Sequence, residues 1–216
     1  MTIIKDGKLS IPLYHGTTSA FVNSIKEHGL GSVDPLDKID AKLLMKELFE
    51  LAEKQGWTDD NWLEYRKLLK PLVTQDRNQA YNFQHGGAYL TYSRELAEKY
   101  ALENPFGCEY LQYLRVFIQL LLQRGVHEVE KYFDHPVLEF WQKPNDPYII
   151  TLEQLDIESL EPENDVDLEK QLVSIESQIR KGLHDAQSFK LINPISPEKL
   201  IITCLGHWNE TATQLL

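Results

Sequence analysis

Twice along this chain an apolar, β-prone run passes through a corner of small residues into a helical pattern. This pair of strand-turn-helix units constrains the fold more than any other feature of the sequence. The first spans Ile11 to Leu30: Ile11, Leu13 and Tyr14 read as strand and His15-Gly16 form the corner. Phe21, Val22 and Ile25 then share one face of a helix capped by Ser19 and closed by Gly29 in the left-handed region. The second opens at Gly86-Gly87, runs through the strand AYLTYS, and enters the helix RELAEKYALEN, capped by Ser93 and stopped at Asn104-Pro105.

The remaining segments divide the same way. Between Pro35 and Arg77, leucines and aromatics recur at helical spacing on both sides of Gly56 and Asp59-Asp60, which predicts a helical pair inserted over one side of the core. Cys108 to Gln123 is long and apolar enough to favour a helix, and PYIITLEQL from Pro147 suits a strand. The acidic, proline- and asparagine-containing stretch 158–167 predicts an exposed loop, Leu168 to Leu183 an amphipathic helix, and SFKLI and KLIITCL two closing strands joined by a Pro-Ile-Ser-Pro turn. The expectation is an α+β chain, one domain over residues 1–216 with a helical insertion at about 35–80.

With 33 acidic against 22 basic residues the net charge is −11, so a nucleic-acid backbone would be repelled and no membrane surface favoured. Cys108 and Cys204 fit no metal-ligand or CxxC spacing and read as reduced thiols. The amino-terminal stretch MTIIKDGKLSIPLYHG lacks the apolar centre of a signal peptide, and no run approaches ~18 apolar residues. The expected location is the cytoplasm, or another cell reached by an effector or toxin without a classical signal. HEVEKYFDH lacks the helical His spacing of a zinc protease and reads as surface.

The corners carry the candidate chemistry. An imidazole at a strand end, His15, can bond a sugar hydroxyl; Gly16 lets backbone approach a flat amide, and Thr17 adds a hydroxyl. Tyr89 and Tyr100 can clasp a flat ring between their faces, or serve as core. Ser93 can contact an amide, or act as the helix cap alone. His85 is either a phosphate or acceptor contact or a loop residue without a role.

Over about half its length, on YHGTT, GGAYLTYS with LAEKYA, and the terminal strands from Ser188, the chain resembles the ADP-ribosyltransferase superfamily, in its diphtheria-toxin-like and PARP-like branch with the His-Tyr-Glu signature. The resemblance implies a split β-sheet core with helical insertions and NAD as co-substrate. It places His15 on the adenosine ribose, Gly16 on the nicotinamide carboxamide, Thr17 on ribose, Tyr89 and Tyr100 around the nicotinamide ring, and Ser93 on the carboxamide. No metal is implied.

The third signature position departs from the family. Where a glutamate is expected at the start of a strand, the register puts Gln187, and a shift of one residue puts Ser188. Neither carries the charge that steadies a developing cation, a loss worth on the order of 10²–10³ in rate. Gln187 is the candidate at this position, with Asp185 and Glu109 as substitutes and Glu198 as a solvated turn residue. Two functions follow from the resemblance: mono-ADP-ribosyl transfer from NAD to a protein or small-molecule acceptor, or an inactive module that binds NAD or ADP-ribose. RNA 2′-phosphotransferase chemistry, which shares the superfamily fold, is opposed by the net charge.

Overall fold

A computed structural model of the chain describes residues 3–76, 83–142, 145–163, 166–183 and 187–207. A short hairpin, β1 (Ile4–Lys5) and β2 (Lys8–Leu9), turns on Asp6-Gly7, both at positive φ (52° and 76°), the conformation a two-residue hairpin loop selects. β3 (Leu13–Thr18) then leads directly into α1 (Ser19–His28). The insertion follows as α2 (Pro35–Lys38), α3 (Ala41–Lys54) and α4 (Asp60–Thr74). The second unit is β4 (Tyr89–Thr91) and α5 (Arg94–Glu103), followed by α6 (Glu109–Gln123) and two short 3-10 turns. The chain closes with β5 (Pro147–Leu152), β6 (Leu160–Pro162), α7 (Leu168–Arg180), β7 (Ser188–Leu191) and β8 (Ile201–Cys204).

Six strands form one antiparallel sheet in the order β6-β7-β4-β3-β5-β8. The class is therefore α+β. β3 pairs with β5 along its whole length, from Leu13 opposite Leu152 to Thr18 opposite Pro147, yet it meets β4 at one register pair, Tyr14 with Thr91. The sheet thus consists of two three-stranded halves that touch at a narrow join.

One contiguous apolar cluster runs through the molecule. It includes Leu13, Leu90, Ile150, Leu152 and Phe189 of the sheet, Leu114, Phe117 and Leu121 of α6, and Leu44, Leu48, Trp62 and Leu72 of the insertion. Each such side chain is worth ~1.5–3 kcal/mol on full burial, so the helical pair is held by the main core through α6. Stacking of Trp62 on Phe117, with ring centroids 6.4 Å apart, makes that connection visible. Among the described residues no helix is long and apolar enough to cross a membrane.

Two expectations about local structure need correction. Part of the acidic stretch 158–167 is strand β6, because Leu160 and Pro162 point inward while Glu161 lies between them, a period of two hidden by charge. Its Pro162 is tolerated because β6 is an edge strand. The two closing strands form as expected, and the sheet sets them apart: β7 lies between β4 and β6, whereas β8 pairs with β5 at the far edge. Thr18 rather than Ser19 precedes the first turn of α1 and makes no side-chain cap bond; Ser19 Oγ instead accepts the Asp146 N–H at 3.1 Å. Gly29 closes α1 at φ 89° as expected, and a side chain there would strike the Ile195 carbonyl.

Candidate functional site

At the join between the half-sheets lies a cleft of about 370 Å³, within the ~300–1,000 Å³ typical of small-molecule sites. Both corners open into it. The imidazole of His15 spans the join: its Nδ1 lies 2.8 Å from the carbonyl oxygen of Tyr89. A carbonyl only accepts, so Nδ1 carries the hydrogen. Burial lowers the pKa of this ring and outweighs the opposing effect of the carbonyl, which keeps it neutral near pH 7. Nε2 is then the acceptor nitrogen.

Gly16 lines the cleft, but the geometry gives its missing side chain a different cause from the one its sequence suggested. A Cβ there would stand 2.2 Å from the carbonyl oxygen of Ala97 and 3.2 Å from the nitrogen of Ala101. Glycine is required so that α5 can lie directly on β3, with the backbone of one touching the backbone of the other. That contact fixes Tyr100, one turn along α5, beside the corner.

Tyr89 and Tyr100 both face the cleft. The Tyr89 hydroxyl donates to the Gln84 carbonyl at 2.9 Å, which sets its ring angle. Tyr100 leaves 39% of its surface exposed, while its oxygen sits at the wall beside Cys108 and Glu109. Burial there raises the phenol pKa, so it stays protonated. Burial likewise pushes the Cys108 thiol up to about 11, and a thiol at that value supplies no nucleophilic thiolate near neutrality.

The Gly86 corner is held from the insertion side. Gly86 sits at φ 97°, and a side chain there would overlap the Asp34 carboxylate. That carboxylate caps α2 by accepting from Leu36 N–H, and it pairs with Lys42 at 2.5 Å. His85 donates its backbone N–H to Gln75 Oε1 at 2.8 Å, and its ring packs on Tyr110 at 5.1 Å. Burial, aided by the charge of Lys42, pushes its imidazole down to about 4. With Pro35 and Leu36 also lining the cleft, the insertion forms part of its wall.

The sequence candidates therefore separate. His15, Gly16, Thr17, Tyr89 and Tyr100 line one cleft. Ser93 does not: it is 2% exposed, and its Oγ accepts the Leu96 N–H at 3.3 Å, the helix-cap role. Gln187 is also outside it. Its Nε2 donates to Ser174 Oγ on α7 at 3.1 Å, and the next residue, Ser188, takes the cleft side of β7. Successive side chains of a strand point to opposite faces, so a shift of one residue exchanges the two. Asp185 lies outside the described residues, and Glu198 sits in the closing turn, accepting from Ser196 Oγ.

Among the described residues two carboxylates line the cleft, Glu109 and Glu163, and no lysine or arginine does. Glu109 was legible as a substitute acid, whereas Glu163 falls in the stretch read as loop. Only its place at the end of β6, opposite the start of β7, brings it inward. Among the described residues no cluster of His, Cys, Asp or Glu is arranged to hold a metal. Compared with protein-family models, curated proteins and solved structures, the chain matches none.

Proposed function

We propose that the cleft binds NAD and that the protein is a mono-ADP-ribosyltransferase-like enzyme, passing ADP-ribose to a protein or small-molecule acceptor. The observation that carries this reading is the neutral His15, held by Tyr89 across the join of the two half-sheets with Nε2 left as acceptor. A ribose hydroxyl donates to such a nitrogen. The sheet of two three-stranded halves supports reading the α+β fold as an ADP-ribosyltransferase-like split core.

The residues fit the nicotinamide-ribose half of NAD best. Tyr89 and Tyr100 offer aromatic faces, and offset stacking of such rings is worth ~0.5–1.5 kcal/mol beyond burial. The cationic pyridinium gains further from the aromatic faces, and from a wall whose described residues include two carboxylates and no lysine or arginine. Thr17 supplies a hydroxyl next to Gly16. NAD brings the scissile bond between ring nitrogen and ribose; the chain orients the ribose, clasps the ring and leaves the sugar carbon open to an acceptor. RNA 2′-phosphotransferase chemistry is disfavoured by the net charge of −11, which opposes the approach of a polynucleotide.

A second reading, a module that binds NAD or ADP-ribose without transfer, is favoured by one observation: Ser188, not an acid, stands on the cleft side at the start of β7. Calorimetric titration with NAD, paired with chromatographic detection of released nicotinamide, tests both. Binding with release supports transfer, binding without release supports the module, and no binding at millimolar NAD refutes the shared premise.

A further inference from the structure

We infer that Glu163, on the turn after edge strand β6, is the catalytic carboxylate of the transfer reaction, supplied from the strand beside the one where the acid is missing. The inference rests on the NAD reading above. Breaking the bond between ribose C1′ and the pyridinium nitrogen sends both bonding electrons to the ring, which leaves as neutral nicotinamide. Positive charge then appears on C1′ and the ring oxygen of the sugar. The acceptor's lone pair forms the new bond to C1′, and its proton leaves to solvent. A fixed negative charge at the cation is the part of this sequence that His15, the tyrosines and Ser188 do not provide.

Among the described residues two side chains on the cleft wall carry such a charge, and their surroundings differ. Glu109 stands in the first turn of α6, where the helix end draws on its charge, and Oε1 accepts the Tyr113 hydroxyl at 3.2 Å. Glu163 has no side-chain hydrogen bond or ion pair among the described residues. Its backbone is nevertheless fixed: the N–H donates to the Ser188 carbonyl at 3.1 Å, and that same oxygen takes Gln171 Nε2 of α7 at 3.0 Å. Glu163 and Ser188 are thus neighbours across the end of the β6-β7 ladder, and both line the cleft. A backbone fixed at the cleft, carrying a carboxylate that no described cation neutralises, leaves that charge available to a developing cation.

The test uses the full chain as wild type, E163Q, E163D, E109Q and the double variant E163Q/S188E, each measured for NAD affinity, nicotinamide release and thermal midpoint. For E163Q we expect release to fall on the order of 10²–10³ while affinity changes by less than about fivefold. E163D, which retracts the charge by one methylene, is expected between the two and stands in for E163Q if the amide variant does not fold. Restoring a carboxylate on β7 in E163Q/S188E should recover release at least about tenfold. The inference is overturned if E163Q and E163D release nicotinamide at the wild-type rate, or if E109Q loses activity and they do not. It also falls if the wild type binds NAD without releasing nicotinamide, an outcome that leaves NAD binding intact; failure to bind NAD at all would instead remove the reading beneath it.

Discussion

Replacing His15 by alanine removes two things at once, and the structure separates them. Within the fold, the ring donates across the join to Tyr89, where β3 and β4 otherwise share one register pair. Losing that hydrogen bond from a largely buried place, together with the volume of the ring, should lower unfolding free energy by about 1–3 kcal/mol. For a chain of this size each kcal/mol lowers the thermal midpoint by ~2–4 °C. Toward the ligand, Nε2 is lost as an acceptor, and ~1–3 kcal/mol corresponds to roughly 5- to 150-fold weaker NAD binding. Urea unfolding measures the first and calorimetry the second. The pH dependence of affinity adds a sign check, because protonation destroys the acceptor. Burial lowers the His15 pKa below its ordinary value of 6.5, so wild-type affinity should stay level from pH 8 down to 6.5 and fall only below. An alanine variant with unchanged affinity and stability within about 0.5 kcal/mol would refute the role of the ring, as would a wild-type affinity that already declines above pH 7.

Gly16→Ala should destabilise the chain by about 1–3 kcal/mol in urea, because its new methyl must displace α5 from the Ala97 carbonyl; Gly16 is not at positive φ, so the whole effect is steric. Gln187→Glu should give no gain in nicotinamide release and should cost about 1–3 kcal/mol of stability, since the side chain is turned toward Ser174 and its Oε1 is buried without a donor. A rise in release would show that the strand register is wrong. Acid should weaken the fold through His85. Its ring is neutral in the folded state down to about 4 but protonates near 6.5 when unfolded, so stability is complete above pH 6.5 and ~3 kcal/mol is lost by pH 4. Comparing urea midpoints of wild type and His85→Gln across that window isolates the contribution, and parallel curves would refute it.

Much of the fold was legible because its signals are local. The helical pair of the insertion, the stop of α5 at Asn104, and the left-handed glycine ending α1 all follow from periodicity and punctuation within a few residues. What remained hidden depends on pairing between distant segments. Strand β6 is three residues long with a charge at its centre, so its pattern is too short to read, and with it Glu163 stayed out of view. The choice between Gln187 and Ser188 is a question of strand parity, which only the partner strand decides. Gly16 shows a third kind of gap. Its identity suggested room for a ligand, while the reason for it is a helix 81 residues further along the chain, at Ala97.

The contact between Gly16 and Ala97 also turns the corner into a rigid gauge. His15 adjoins one side of that contact and Tyr100 rides on the other, so their separation is determined by main chain resting on main chain, with no pliable side chain between them to yield. The spacing of these two backbones cannot widen for a bulkier heterocycle; only the rings mounted on them can turn. Tolerance for modified bases should therefore be narrow where an added group would press on the Gly16 and Ala97 backbone, and broader where it meets only the tyrosine rings or other side chains.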